Sequence, residues 1–543
     1  SVSAGSIVVA SDVATTGSGE VTLTAARNIE LNSGSSLTTV NGAITLEANT
    51  AGTATGNFSG ILLVNAGIMS SYGNILLVGR GGDTNNSNLG VYINTASVVS
   101  STGVGASAAT IIIDGTGGSG PSNNWGVRIN RSGSMVRSVD GDIQINGQGG
   151  GDVSGRNNSG VRMDSGTMVE STGVAEITID GTGGFGGTGV YIVVATVHSE
   201  AGDIQIIGQS GIGGGQAVYL NGLVESTGDS KGNAAEISIN GTGDYSGLVM
   251  GTRSAVSSVA GNIQLTGKSV SAGGNGVFIQ GLVESTGTIK SNSATITIGG
   301  AGSLHGQGVS LGGTATSVRS VAGDIRITGQ GDNENGAGNA NGVNLYNGAS
   351  IVSTGTSKAD AAQIIINGTG GNGSVSFGVN MRESDVRSVA GDIEMFGSVS
   401  GNGTGVVLDY HALIESTGTS KTDAAEITIN GTGGTGISDN FGLETWRSTV
   451  RSFAGDIQII GIGGNSTRFG GGGGMDLTDI TIKSLGTSQS NAAVITINGT
   501  GGDSIATGRT GRGVYLLLGS MDSAAGNILM TGRGGDGIVL QRL

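Results

Sequence analysis

The phrase Gly-Asp/Asn-Ile starts at Gly73, Gly141, Gly202, Gly261, Gly323, Gly391, Gly455 and Gly526, at spacings of 59 to 71 residues. A second phrase, in its fullest form Ala-Glu-Ile-Thr-Ile-Asn-Gly-Thr, lies between successive copies, with its first Ile at Ile111, Ile177, Ile237, Ile296, Ile364, Ile427 and Ile495. A third, Gly-Val-x-Ile/Leu/Met, precedes both kinds, as at Gly126, Gly160, Gly308 and Gly342. The repeating unit is therefore about 32 residues, in two alternating types that make a double repeat of about 64. One such unit cannot bury its own apolar face. It must stack on its neighbours.

Each unit holds three short apolar runs. In one of them these are Ala217–Leu220, Leu223–Ser226 and Glu236–Ile239. All alternate apolar with polar residues, the pattern of a half-buried strand, and Gly, Asn, Asp and Ser separate them. No 3.6-residue periodicity intervenes, which sets aside βαβ units and leucine-rich horseshoes. A propeller blade needs four strands in about 40 residues. Three strands per coil point to an all-β parallel β-helix of about 17 coils. Residues 1–59 lack the Gly-Val phrase and are expected to form tighter N-terminal coils; residues 60–543 are expected to form one continuous β-helix without an independent second domain. Glycine (110 of 543 residues) with a single proline fits this fold and excludes collagen, and 36% hydrophobic residues in regular clusters exclude a flexible linker.

A net charge of −15 sets aside nucleic acid as a partner, because that calls for a basic stripe. It also disfavours plain electrostatic binding to anionic membranes. Without cysteine the chain uses no disulfide and is compatible with an oxidising exterior. No apolar run approaches the roughly 18 residues of a membrane-spanning helix. The chain opens Ser-Val-Ser and stops at Ile538-Val539-Leu540, within a strand just begun. Uncapped solenoid ends are open sheet edges. The chain is therefore read as a segment of a longer protein, or as a subunit that stacks end to end on its copies.

Stacking turns the alignment into spatial expectations. The middle strand ends in a serine in every coil: Ser101, Ser138, Ser171, Ser199, Ser226, Ser258, Ser285, Ser320, Ser353, Ser388, Ser416, Ser452, Ser484 and Ser523. Parity points these inward, so a structural serine ladder is expected, each hydroxyl bonded to a neighbouring serine or to backbone. A row of nucleophiles would need a base beside each serine, and the chain has only three histidines. The residue before the serine points outward and reads Arg137, Glu170, His198, Glu225, then Glu284, Arg319, Arg387, Glu415 and Arg451 among others. Opposite charges on adjacent coils help fix coil order.

Catalytic chemistry is sparse in this sequence. The Gly-Asp carboxylates Asp142, Asp203, Asp324, Asp392 and Asp456 alternate with Asn74, Asn262 and Asn527, as turn residues do. Ca²⁺ at these carboxylates is the weaker alternative, and no cofactor is expected. Gly181–Gly186 matches Gly-x-Gly-x-x-Gly but is followed by a strand, not a helix, so dinucleotide binding is rejected. Asn-Gly-Thr at Asn240, Asn367, Asn430 and Asn498 matches a glycosylation sequon and is read as a turn. Trp125, Trp446, Tyr92, Tyr191 and Tyr219 read as scattered, and no paired carboxylates stand out. The least repetitive polar groups are Asp244, Tyr245, Arg253, Asp409, Tyr410 and His411. A flat threonine array for ice binding is interrupted: Thr178, Thr297, Thr428 and Thr496 alternate with residues such as Ser238 and Ile112.

The stretch from Gly19 to Leu46, GEVTLTAARNIELNSGSSLTTVNGAITL, resembles the repeats of filamentous-haemagglutinin-like bacterial exoproteins of the two-partner-secretion type. The later phrases resemble the longer-looped repeats of giant bacterial surface proteins. The resemblance implies a right-handed β-helical shaft, export to the cell surface, and adhesive or structural roles. The expectation is an extracellular fibre segment rather than an enzyme. Its partners would be copies or neighbouring segments end to end, and host or neighbour-cell surfaces or glycans. The alternative is a carbohydrate-active β-helix that binds or cleaves polysaccharide along a side groove.

Overall fold

The computed structural model describes residues 5–271, 273–332, 338, 340–373, 375–437, 440–467, 472–503 and 510–541. It is a parallel β-helix, with one three-residue 3-10 turn, Lys290–Asn292, as the only helical element among the described residues. Contacts divide the chain into two compact units, Ser1–Thr266 and Gly267–Leu543. Seventeen strands of the Ile-x-Ile class are described, in keeping with about 17 coils.

In the first unit a coil consists of Val127–Asn130, Met135–Ser138 and Ile143–Gln148. Each strand pairs parallel and in register with its equivalent in the next coil: Val127 with Val161, Val136 with Val169, Ile143 with Ile177. The first N-terminal coil is short, 22 residues, whereas the next spans 32. Ile7 pairs with Ile29, and Ile29 with Ile61. In the second unit Val343–Tyr346, Ser350–Ser353 and Ile364–Gly370 pair in the same way with Ser376–Arg382, Asp385–Ser388 and Ile393–Val399. Alternation sends Ile143, Ile145, Val136 and Ile129 into the interior, where they are buried against like residues of the coils above and below.

Asn-Gly-Thr is not a turn. It continues the third strand, as in Ile237–Gly243, where Asn240 pairs with Ile207 and Gly241 with Gly208. Its glycine is required by close approach. A Cβ on Gly241 would lie 2.1 Å from the Gly247 carbonyl oxygen; at the equivalent place in a Gly-Asp coil, one on Gly147 would lie 2.2 Å from the Gly160 carbonyl oxygen, and one on Gly160 would lie 2.4 Å from the Thr182 nitrogen. The end of the third strand thus packs backbone to backbone against the opening of the next Gly-Val strand. The same contact recurs in the second unit between Gly329 and Gly342, at 2.0 Å from a built Cβ to the carbonyl oxygen. Two of the three phrases carry glycine for one shared reason.

Gly147→Ala is expected to lower stability by about 1–3 kcal/mol, the usual cost of overpacking. Urea unfolding followed by circular dichroism measures it. An unchanged midpoint would mean that this backbone contact yields without cost.

Candidate functional site

The Gly-Asp phrase bonds coil to coil. In the first unit Asp142 accepts the Glu176 backbone N–H at 3.1 Å, and Asp203 that of Glu236 at 2.8 Å. In the second, Asp324 accepts from Gln363 at 3.0 Å, Asp392 from Glu426 at 2.8 Å and Asp456 from Val494 at 2.7 Å. The donor is always the residue before the first Ile of the next coil. In the second unit a lysine from the preceding loop meets the same carboxylate. Lys290 Nζ is 2.6 Å from Asp324, Lys358 Nζ is 2.9 Å from Asp392, and Lys421 pairs with Asp456. Lys290 also donates to the Ala361 carbonyl at 2.9 Å. The last loop carries Gln489 in place of lysine, and the coil after it carries Asn527 in place of aspartate. No group of three or more His, Cys, Asp or Glu side chains placed to hold a metal ion occurs among the described residues.

Burial works to lower the Lys358 pKa, but the hydrogen bond and charge of Asp392, with Glu426, outweigh it and hold it above the ordinary lysine value. A raised folded value means that the Lys358 contribution is complete below the ordinary lysine range and is lost as pH climbs past it.

The serine positions stack in register, Ser138 on Ser171 on Ser199 in the first unit and Ser353 on Ser388 on Ser416 in the second. All from Ser101 to Ser484 are buried, while Ser523 is half-buried. Their hydroxyls divide by coil type. In Gly-Asp/Asn coils Ser199, Ser258 and Ser320 donate to the carbonyl three residues on at 2.5 Å, Ser388 does the same to Gly391, and Ser523 accepts the Gly526 N–H at 2.8 Å. In Ser-Thr-Gly coils Ser171 makes only a long contact, 3.4 Å to Gly173, and Ser101, Ser226, Ser285, Ser353, Ser416 and Ser484 have no partner among the described residues. Ser138 and Ser452 lack one too, although they sit in Gly-Asp coils. A bond to a neighbouring serine or to backbone was the expectation; where a partner is found it is backbone of the local bend, and several of these hydroxyls have none among the described residues. The tight Ser-x-x-Gly bend brings the glycine carbonyl oxygen under the hydroxyl.

The outward column before the serine contains Arg137 beside Glu170, and His198 Nδ1 at 3.2 Å from Glu225. In the second unit Arg319 bonds Glu284 at 2.7 Å. Val352 then separates Arg319 from Arg387, which prevents a like-charge contact. Glu415 lies between Arg387, at 3.7 Å, and Arg451, at 2.7 Å. Partly exposed pairs such as Arg319–Glu284 are worth about 0.2–1 kcal/mol each, whereas Glu415 is itself buried between its two arginines.

The Gly-Val strands present a further column that the sequence reading did not assemble. In the first unit it brings together aromatic residues that looked scattered. Arg128 lies 5.5 Å from the Tyr92 ring and 4.4 Å from Trp125, and Arg162 lies 5.1 Å from Trp125 and 4.5 Å from Tyr191. Tyr191 stacks on Tyr219 at 5.1 Å. Asp164 pairs with both arginines, at 3.3 and 2.7 Å, so their charge is used internally.

In the second unit the same column forms the floor of an open groove of about 710 Å³. Successive coils place Asn344, Asn380, Val407 and Glu444 side by side along it. Asn380 donates to Asn344 at 2.7 Å, and Asn344 donates to Gln307 at 3.1 Å. Two residues further along each strand, Tyr346, Arg382, Asp409 and Trp446 form one wall. Asn341 and Phe377 line the opposite side. Tyr410, at the corner after its strand, carries the Arg382 guanidinium at 4.4 Å. Burial raises the Asp409 pKa, and the Arg382 charge opposes that shift without cancelling it. Of the least repetitive polar residues, Asp409 and Tyr410 line the groove. Tyr245 and Arg253 lie in the first unit with Asp244, whose carboxylate accepts the Gly213 and Gly214 N–H groups at 3.1 and 3.3 Å. His411 is exposed and does not line the groove. Asn344, Asn380 and Glu444 escaped notice, although aligning on the Gly-Val phrase puts all three two residues after the glycine. The threonine positions remain interrupted, with Thr428 between Glu394 and Gln458.

Comparison with protein-family models, characterised proteins and solved structures gave no match.

Two outcomes are expected from these contacts. Ser388→Ala should cost about 0.5–1.5 kcal/mol for its lost bond, whereas Ser416→Ala should be neutral or stabilising, because it removes a buried hydroxyl without a partner. Chemical denaturation of both variants checks this, and equal losses would contradict it. Between about pH 9 and about pH 11.5 the wild type should lose more stability than Lys358→Met, as the lysine gives up its proton. Parallel pH profiles would remove the Lys358 clamp from the account.

Proposed function

We propose that this chain is a structural and adhesive shaft segment of a bacterial surface protein of the filamentous-haemagglutinin-like kind, displayed outside the cell. The observation that carries this reading is how the repeated polar residues are used. Asp324 is held by Lys290 from the coil before and by the Gln363 N–H of the coil after, and Asp392 and Asp456 repeat the arrangement. Such bonds join each coil to its neighbours and leave outward positions free to vary, which suits a stiff carrier of local binding faces. The net charge of −15 keeps copies from collapsing on one another, and a chain without cysteine folds independently of the redox state outside the cell. Neighbouring segments or copies would meet such a shaft end to end.

A second reading, a carbohydrate-active β-helix, draws on the groove between Asn344 and Trp446, with Asp409 in its wall and Glu444 in its floor. Release of reducing ends from a polysaccharide panel, abolished in Asp409→Asn, would favour cleavage over adhesion.

Immunogold electron microscopy of the native source cells tests the first reading. Label on external fibrous material is the expected result. Label confined to the cell interior would overturn it.

A further inference from the structure

We infer that the groove of the second unit binds a segment of a neutral polysaccharide laid along the coil stack. This rests on the adhesive reading and gives it a ligand class. Gln307, Asn344 and Asn380 come from separate coils and are chained amide to amide, at 3.1 and 2.7 Å. Chaining fixes the orientation of each amide and uses only part of its capacity, since a primary amide has two donor hydrogens and two acceptor lone pairs. A row that offers both donors and acceptors is best matched by hydroxyl groups, which do both at once. A purely anionic or purely cationic ligand would satisfy half of it.

The wall supplies the second requirement of sugar binding, aromatic faces. Trp446 is 45% exposed and Tyr410 38%, on the coils that carry Asp409 and Glu444. The negative face of an aromatic ring attracts the weakly positive C–H edge of a pyranose. Charge then selects the type of glycan. Among the lining residues one arginine, Arg382, faces three carboxylates, Glu383, Asp409 and Glu444, and it already lies over Tyr410; Arg447, 5.7 Å from the Trp446 ring, is paired with Asp479. Sulfated or uronic acid polymers are repelled by that balance. Size and period also agree. About 710 Å³ is within the range of small-ligand sites, and each further coil repeats the floor after about 4.8 Å, comparable with one sugar residue of an extended chain. An extended peptide would seek an open strand edge, whereas this groove presents side chains from strands already paired on both sides.

The test uses the full chain carrying Trp125→Phe. Of the two tryptophans, this removes the buried one in the first unit and leaves Trp446 as the sole indole reporter. A panel of neutral glucans, mannans, xylans and galactans is compared with alginate, pectate and heparin, and binders are titrated by tryptophan fluorescence and calorimetry. At least one neutral polymer is expected to bind and to change the Trp446 emission. Asn380→Ala, in the same background, and Trp446→Ala, read by calorimetry, should each weaken binding roughly tenfold or more while the β-sheet circular dichroism signal at the binding temperature is retained. Binding of anionic polymers alone, of unfolded peptide controls alone, of nothing on the panel, or binding indifferent to both variants would overturn the inference. A cell interior location with intact glycan binding would sink the surface role and spare the groove; surface display without glycan binding would do the reverse.

Discussion

Each unit of this protein depends on in-register parallel pairing between coils about 32 residues apart. Because strand side chains alternate with a period of two, a slip of one residue would turn every inward Ile and Val outward. Register is pinned at two places by backbone rather than by side chains. Gly147 against Gly160, and Gly329 against Gly342, allow a contact that any Cβ would block. At the other corner a Cβ on Gly323 would stand 1.8 Å from the Ala294 carbonyl oxygen. Glycine in this chain is mostly a packing residue. Its abundance reflects how often the backbone meets itself.

Polar side chains then tie the coils along the stack. Unpaired backbone groups at strand entries would be costly if left unbonded. The Gly-Asp carboxylates supply acceptors for them, one coil away. A related device lies in the loops. Asn88, Asn124 and Asn158 are fully buried and pass a bond from coil to coil: Asn88 N–H to Asn124 at 3.0 Å, and Asn124 N–H to Asn158 at 2.9 Å. Asparagine suits this place because its amide accepts from the next backbone while its NH₂ group donates to local carbonyls, as Asn88 does to Thr84 at 2.8 Å. These ladders order the loop roots, so loop length can vary above them without disturbing the strands.

That freedom is what permits a site. The stack does not hold the outward position two residues after the Gly-Val glycine to one residue type. In the first unit it holds arginine and tyrosine paired with one another, and in the second it holds amides and a carboxylate that floor a groove. The scaffold is the same and the chemistry differs, because parallel stacking lines up whatever occupies equivalent positions. Function in such a fold resides in departures from the repeat rather than in the repeat.

The amino-acid sequence by itself determined the period, the three strands per coil, the inward and outward parity and the stacking of the serines. All of these follow from local alternation repeated many times. The Asn-Gly-Thr segment was misread as a turn because glycine signals both tight bends and close backbone contact, and only the neighbouring coil distinguishes them. Tertiary structure alone decided which hydroxyls of the serine column find a carbonyl, that Lys290, Lys358 and Lys421 share carboxylates with the next coil, and that Asn344, Asn380, Tyr410 and Trp446 border one groove. The serine bonds span only three residues, but the clamps and the groove join residues 27 to 37 positions apart in successive coils, across loops of unequal length. Their proximity depends on register and loop closure, which no short window of sequence contains.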